Sequence, residues 1–518
     1  MISLTEPLPA LAAEGGALTS IEDVINRVFE PINSLATTII FFEVPINGTP
    51  RPIVVFWLVA AAIIFTVYFG FIQFRGAKIA VQVVSGKFST DTDPGEISHF
   101  QALTSAVSGT VGLGNIAGVG VAVTVGGPGA TFWMIVAGLL GMATKFAECT
   151  LGVKYREVHE DGAVSGGPFR YLPVAFARFG KIPAKFLTGL FAVAIIAFGL
   201  AGGNMFQANQ TYAQAKNVTG GDDGFLGSDR AALLFGVVLA VLVGVVILGG
   251  IKSIGKVTSR LVPAMGAVYV LACLVVIFGN IGDVPSAVGD IFSGAFSGEG
   301  VAGGFLGVLI IGFQRAAFSN EAGLGSAPIA HSAAKTRRPV SEGFVALLEP
   351  FIDTVVVCTL TALTIVIARP QIWLEGREAV ANGEAAPDGV VVTSGAFESV
   401  VSWFPNVLAV AVALFAFSTL LTWSYYGLKA WTTLFGRSPR SELTFKLMFL
   451  MFVVIGTVLN FSEVLNFADA MLFLCAFVNL AGVYLLLPVV KKEMKSYFAE
   501  YRAGTLLDDP PVDDRVDV

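Results

Sequence analysis

Residues 108–118 read SGTVGLGNIAG and sit inside an otherwise apolar run. Glycine and asparagine there loosen a helix where no water waits for the freed backbone groups. Each unsatisfied N–H or C=O at bilayer depth costs several kcal/mol, so such a break persists only where protein, water, an ion or a substrate supplies partners. The half-helix beyond a break offers free N–H donors and the positive end of its dipole to an anion, and the half-helix before it offers carbonyl oxygens to a hard monovalent cation. A carboxylate and a cation can therefore bind side by side.

A related stretch occurs later. FQALTSAVSGTVGLGNIAGVG begins at Phe100 and FQRAAFSNEAGLGSAPIAH at Phe313, and each runs from FQ through small and polar residues to GLG. Small residues also serve ordinary helix packing. The pairing of the two interruptions, with Asn115, Ser319, Asn320 and Glu321 beside them, favours a binding site instead.

Polar side chains at membrane depth are costly and point to function. In FGLAGGNMFQANQTY, Asn204 and Gln207 lie one turn apart, and either can serve a zwitterion, Gln207 being preferred. In LFAFSTLLTWSYYG, Ser418 and Thr419 would complete an all-oxygen cation cage with carbonyls of the first interrupted helix, while Trp423 would wall a small pocket. The competing reading is hydroxyls bonded back to their own helix. Lys145 with Glu148, and Arg315 with Glu321, read as pairs that hold helices or gates together, and Glu349, Asp353 and Asp469 are candidate proton carriers.

The elements that must position these groups are membrane helices. The chain of 518 residues is 55% hydrophobic and 14% charged, with a mean hydropathy of +0.76, outside the range of soluble domains. Apolar windows fall near 53–74, 99–125, 129–153, 182–214, 230–249, 260–280, 302–333, 341–368, 396–432, 443–460 and 465–490. Eleven transmembrane helices of an all-α polytopic protein are expected. Lys and Arg concentrate in alternate loops, among them Arg75, Lys78, Lys154, Arg156, Lys252, Lys256, Lys335, Arg437 and Lys491. That alternation puts the N-terminus outside and the C-terminus in the cytosol. Cys149, Cys273, Cys358 and Cys475 stand singly in apolar segments, as small core residues.

Five topological steps separate the two GLG triplets, and an odd number inverts direction through the membrane. The expected architecture is an extracytoplasmic segment with an amphipathic helix (1–52), an extra span (53–75), a first inverted repeat (76–285), a second (286–492) and an acidic cytoplasmic tail (493–518), with two discontinuous helices. The stretch 370–395 reads as a solvated connector, with a partial lid as the alternative. This organisation implies secondary active transport by alternating access. A passive channel and a proton-coupled symporter are the rivals. A membrane enzyme finds no HExxH or GxSxG support, a scaffold would have no reason to keep two unwound helices, and no feature calls for nucleic acid.

TVGLGNIAGVGVAVTVGGPGATFWM, GMATKFAECTLGVKYRE, SGGPFRYL, AFSNEAGLGSAPIAHSAA and STLLTWSYYG resemble the alanine or glycine:cation symporter family, over residues 53 to 490. The resemblance implies a leucine-transporter-type fold and sodium-driven uptake of small neutral amino acids across the cell membrane, with Na+ as coupling ion and no organic cofactor. It also implies that Thr110 and Asn115 resemble ligands of a sodium beside the substrate, and Ser108, Val111, Ser418 and Thr419 those of a second sodium. Leu113 and Gly114 would offer amides to the substrate carboxylate, with Gln207, Ser319, Asn320, Gly323, Thr419 and Trp423 completing the pocket. The chain departs from the related neurotransmitter symporters in carrying Thr110 where those have a small apolar residue, and Asn204 and Gln207 where they have an aromatic.

Overall fold

The computed structural model describes residues 31, 34–46, 49–90, 92–160, 162–297, 304–459 and 461–508. Most of the 1–52 segment expected to hold an amphipathic helix, and the end of the acidic tail, fall outside them. The strands among the described residues are two short antiparallel pairs, Glu43–Ile46 with Thr49–Pro52 and Glu157–Val158 with Val164–Ser165.

Helices make up the rest of the architecture. The first half comprises α1 (Ile53–Tyr68), α2 (Ile72–Val84), α3 (His99–Thr110), α4 (Ala117–Val125), α5 (Ala130–Lys154), α6 (Pro168–Phe176), α7 (Lys181–Leu200), α8 (Phe206–Val218), α9 (Asp229–Ile247) and α10 (Gly250–Gly279). The second comprises α11 (Val284–Ser297), α12 (Gly304–Asn320), α13 (Ala327–His331), α14 (Pro339–Ala346), α15 (Thr359–Ala368), α16 (Gln371–Ala381), α17 (Gly389–Glu398), α18 (Phe404–Phe435), α19 (Pro439–Gly456) and α20 (Phe461–Ala503).

Among the described residues, seven helices are long and apolar enough to cross a membrane, and nine if each of two bent pairs forms one span. The pairs are α1 with α2, bent by 75°, and α3 with the segment Leu113–Val125, bent by 56°. The windows expected at 302–333 and 443–460 coincide with α12 and α19, of 17 and 18 residues, which lie outside that set.

Three expectations about loops are corrected. Arg75 and Lys78 lie on the exposed face of α2, which buries Ile72, Gly76, Ile79 and Ala80. Lys252, Lys256 and Arg260 are exposed on the opening turns of α10, which begins ten residues before the expected window. A helix can continue past its apolar stretch when charged side chains reach water. The stretch 370–395 is not a solvated connector but holds α16 and most of α17, whose Val390, Val392, Thr393 and Ser394 are buried. Trp373 donates its indole N–H to the Val123 carbonyl at 3.1 Å, and Thr393 its hydroxyl to that of Ile116 at 3.0 Å. These helices cover one end of the first interrupted helix.

Close approach of small residues builds the interior. A Cβ on Gly120 would meet the Gly389 carbonyl oxygen at 2.3 Å, so α4 and α17 touch backbone to backbone. In a bilayer, where lipid is as apolar as leucine, such contact supplies association that hydrophobicity cannot. α5 runs through the middle and buries every residue from Gly141 to Val153.

Candidate functional site: two facing helix breaks

Both interrupted helices are broken where the sequence predicts. α3 ends at Thr110, Gly112 is extended (φ −129°, ψ −149°), and Leu113–Asn115 form one 3-10 turn before α4. The freed donors are satisfied by amide side chains. Gly112 N–H donates to Asn115 Oδ1 at 3.0 Å, and Leu113 N–H to Gln207 Oε1 at 3.0 Å. Gln207 donates in turn to the Gly202 carbonyl, in a π-helical turn over Ala201–Met205 that joins α7 to α8.

At the preceding end lies an oxygen cluster. Ser108 donates its hydroxyl to the Ser418 carbonyl at 2.7 Å, and Thr419 donates to the Ser108 carbonyl at 3.0 Å. Ser418 and Thr419 also reach the Phe415 carbonyl, at 2.9 and 3.0 Å. A Cβ on Gly112 would lie 2.4 Å from Thr419 Oγ1, so only glycine lets α18 come this close. All-oxygen donors, hydroxyl and carbonyl, suit a small hard cation. Thr110 points its hydroxyl back to the Ala106 and Val107 carbonyls of its own helix.

The second break runs from Glu321 to Ser326. Glu321 (φ +56°), Gly323 (φ +93°) and Gly325 (φ +84°) adopt left-handed backbone. Trp423 donates its indole N–H to Glu321 at 3.1 Å, and Ser326 its hydroxyl to the same carboxylate at 2.5 Å. Glu148 accepts from Asn479 at 2.5 Å and from Gly323 N–H at 3.4 Å, while Asn479 also donates to the Gly323 carbonyl at 2.9 Å. Asn320 caps its own break by accepting from Ala322 N–H at 2.9 Å.

The breaks adjoin one another, since a Cβ on Gly114 would lie 3.3 Å from the Ser319 Cα. Asp353 links them. It accepts from Asn115 Nδ2 at 2.6 Å, from Ser319 at 2.9 Å and from Thr354 at 2.7 Å. Sequence reasoning placed Asp353 only among the proton carriers; its signal is an acid three residues after Pro350 in an apolar span.

The predicted residues thus fall into one connected region. Ser108, Asn115, Gln207, Ser319, Asn320, Thr419 and Trp423 are all buried. Asn204 is turned away, donating to the Phe449 carbonyl of α19 at 2.8 Å, as a clamp between helices. The expected ion pairs are corrected: Lys145 pairs with Glu349 at 3.1 Å and not with Glu148, and Arg315 pairs with Asp469 and not with Glu321. In each case the partner comes from another helix, because a buried charge seeks opposite charge wherever the fold brings it.

A family model described as the sodium:alanine symporter family matches residues 37–509. This chain belongs to that family. It is 38% identical over 447 residues to the sodium/alanine symporter AgcS of Methanococcus maripaludis, covering 86% of this chain and 94% of the relative. It is 34% identical to the amino-acid carrier protein AlsT of Bacillus subtilis, covering 86% and 90%. The crystal structure of MhsT in complex with L-phenylalanine matches with a TM-score of 0.54 at 14% identity, covering 80% of this chain and 94% of that one. That likeness shows the fold, of the leucine-transporter type. The chain is thus a multi-pass membrane protein of a transporter family that implies sodium as the coupling ion.

Proposed function

We propose that this protein is a sodium-coupled symporter of small neutral amino acids, alanine and glycine first, working by alternating access. The observation that carries the reading is the meeting of two helix breaks beside the oxygen cluster of Ser108, Ser418 and Thr419. One sodium would take the Ser108 and Thr419 oxygens with the Val111 carbonyl and Ser418 hydroxyl. A second would lie near Thr110, Asn115 and Asp353. The substrate carboxylate would take the amides of Leu113 and Gly114, displacing the Gln207 side chain that Leu113 now engages. Ser319, Asn320, Gly323, Thr419 and Trp423 would bound a pocket that leaves room only for a small side chain.

Eleven spans, one followed by two inverted five-helix repeats, would carry the site in the cytoplasmic membrane, N-terminus outside and C-terminus in the cytosol. Relatives named for sodium/alanine symport and amino-acid carriage support this. Coupling is reciprocal: sodium raises substrate affinity by the factor by which substrate raises that of sodium. The test is uptake of labelled alanine into liposomes containing the protein, with a sodium, lithium or proton gradient imposed in turn. Accumulation against a gradient with sodium alone is expected. Accumulation driven equally by protons without sodium would overturn sodium coupling, and flux that never exceeds equilibration would mean a channel.

A further inference from the structure

A second chain of buried ionisable groups lies beside the second break, next to Glu321 and Glu148. Lys145, on α5, donates to Glu349 at 3.1 Å; the other Glu349 oxygen meets His331 Nε2 at 2.5 Å. His331 Nδ1 contacts Glu342, and the second oxygen of Glu342 contacts His99 Nδ1. Lys145, Glu349, His331 and Glu342 are fully buried, and His99 is 3% exposed. His99 opens α3 and His331 ends α13, so this chain ties the first broken helix to the second at one end of the molecule.

That end is also closed by backbone. Glu96 N–H donates to the Ala333 carbonyl at 2.7 Å and Lys335 N–H to that of Ile97 at 2.8 Å. Arg156 binds the carbonyls of Pro94, Ser332, Ala334 and Thr336 at 2.6 to 2.8 Å. Burial beside those partners lowers the Arg156 pKa to about 10, so it stays charged at neutral pH. On the transport reading above, on which this inference rests, this is the cytosolic end.

Both ring nitrogens of His331 face a carboxylate oxygen. A neutral imidazole carries one N–H, so its other nitrogen would set a lone pair against Glu342 or Glu349. One further proton must lie within the trio, and imidazole, more basic than carboxylate, holds it. The core of the network then balances: His331 and Lys145 positive, Glu342 and Glu349 negative. The other groups that face it are Glu148 and Cys149 of α5, Glu321 of the second break, Arg156, and Tyr426 of α18; Glu148 and Glu321 lie on the Lys145 side, away from His331 and Glu342. Cys149, His331 and Glu349 also approach closely enough to share a metal ion. The ring nitrogens are already taken and Lys145 occupies Glu349, which favours a proton over a divalent cation.

We propose that Glu342, His331 and Glu349 form a proton-binding site that latches the cytosolic ends of the two broken helices. The proton is held while that end is closed and is released to cytosolic water as it opens. Release leaves a neutral imidazole, two carboxylates and Lys145, a net charge of −1 that must hydrate. Alkaline cytosol therefore favours opening, and acid cytosol holds the latch.

The chain has three histidines, so ring nitrogen-15 labelling of the full protein in lipid gives a readable magnetic-resonance spectrum. At neutral pH a doubly protonated ring is expected that is absent from His331→Asn and kept in His159→Asn. A wild-type spectrum without such a ring, or one unchanged in His331→Asn, would overturn the assignment. Sodium-driven uptake at fixed external pH should rise as the lumen goes from about pH 6 to 8, by no more than about tenfold per pH unit, the limit for one proton. Glu342→Gln should flatten that profile. A flat wild-type profile would defeat the latch. Absence of sodium-driven uptake at every pH would instead count against the transport reading, which the spectrum does not depend on.

Discussion

The two helix breaks share the letters GLG and little else. At the first, the backbone passes through extended Gly112 and a 3-10 turn, and neutral amides and hydroxyls satisfy what it frees. At the second, left-handed residues turn the chain, Asn320 and Asn479 take the Ala322 N–H and the Gly323 carbonyl, and the buried carboxyl of Glu148 takes the Gly323 N–H. Neutral partners exchange easily for an ion or a carboxylate, because leaving them strands no charge. Glu148, tied to Asn479 and Gly323, cannot let go without leaving a buried carboxyl and two buried donors without partners. The first break is therefore the exchangeable half of the site and the second its fixed frame.

Glu148→Ala should break this comparison most severely. Leaving a buried donor without its acceptor costs about 1–3 kcal/mol, and here both an Asn479 N–H and the Gly323 N–H lose theirs. Thermal unfolding of the purified protein in lipid should show a melt lowered by many degrees, with Glu148→Gln milder because one acceptor remains. A melt like that of the native protein would mean that the frame is not held by Glu148.

Next in size is a contrast between two alanines. Gly325→Ala forces a left-handed residue to carry a Cβ, 2.9 Å from Asn479 Cγ, for a strain of about 1–3 kcal/mol. Gly112→Ala adds a Cβ at a φ that any residue adopts, but 2.4 Å from Thr419 Oγ1. The first should lower the melting temperature along with transport. The second should abolish sodium-driven uptake with a smaller loss of stability. If both variants lose stability equally, the division into frame and exchangeable half fails.

How much of this was legible follows from the range over which sequence patterns act. Glycine beside asparagine in an apolar run exposes a broken helix locally, and Gln207, Thr419 and Trp423 stand out as polar groups in apolar surroundings. Asp353 could be seen as costly but not placed, because Asn115 lies 238 residues away in the chain. The partners of Lys145 and Arg315 are hidden for the same reason: helical spacing suggests a neighbour on the same helix, whereas the segment from α14 to α15 and α20 bring the acids. The segment 370–395 reads as loop because its polar residues and Pro387 mask two short helices whose burial depends on α4, α15 and α18 being there first. The left-handed backbone at Glu321 has no sequence signal, since glutamate rarely adopts it.

Thr419→Ala removes a hydroxyl from the oxygen cluster of the first break. Sodium-dependent alanine uptake should fall at least about tenfold, equivalent to about 1.4 kcal/mol, and Thr419→Ser, which keeps the oxygen, should recover most of it. Unimpaired uptake by Thr419→Ala would remove the cation from this half of the comparison.

The smallest effect belongs to a charge outside both breaks. Arg369 donates to Asp290 at 2.7 Å, but the side chains are 55% and 41% exposed. Water and salt screen such a pair, and the cost of ordering two side chains offsets most of its attraction, leaving about 0–1 kcal/mol. Asp290→Asn should therefore shift the melt by no more than a few degrees and leave uptake and its sodium dependence unchanged. The same chemistry, an acid facing a cation, is decisive at Lys145–Glu349 and nearly idle here, because only the buried pair has no water to turn to. A large stability loss from Asp290→Asn would show that burial is not what separates the two, and the argument for a buried frame at the second break would weaken with it.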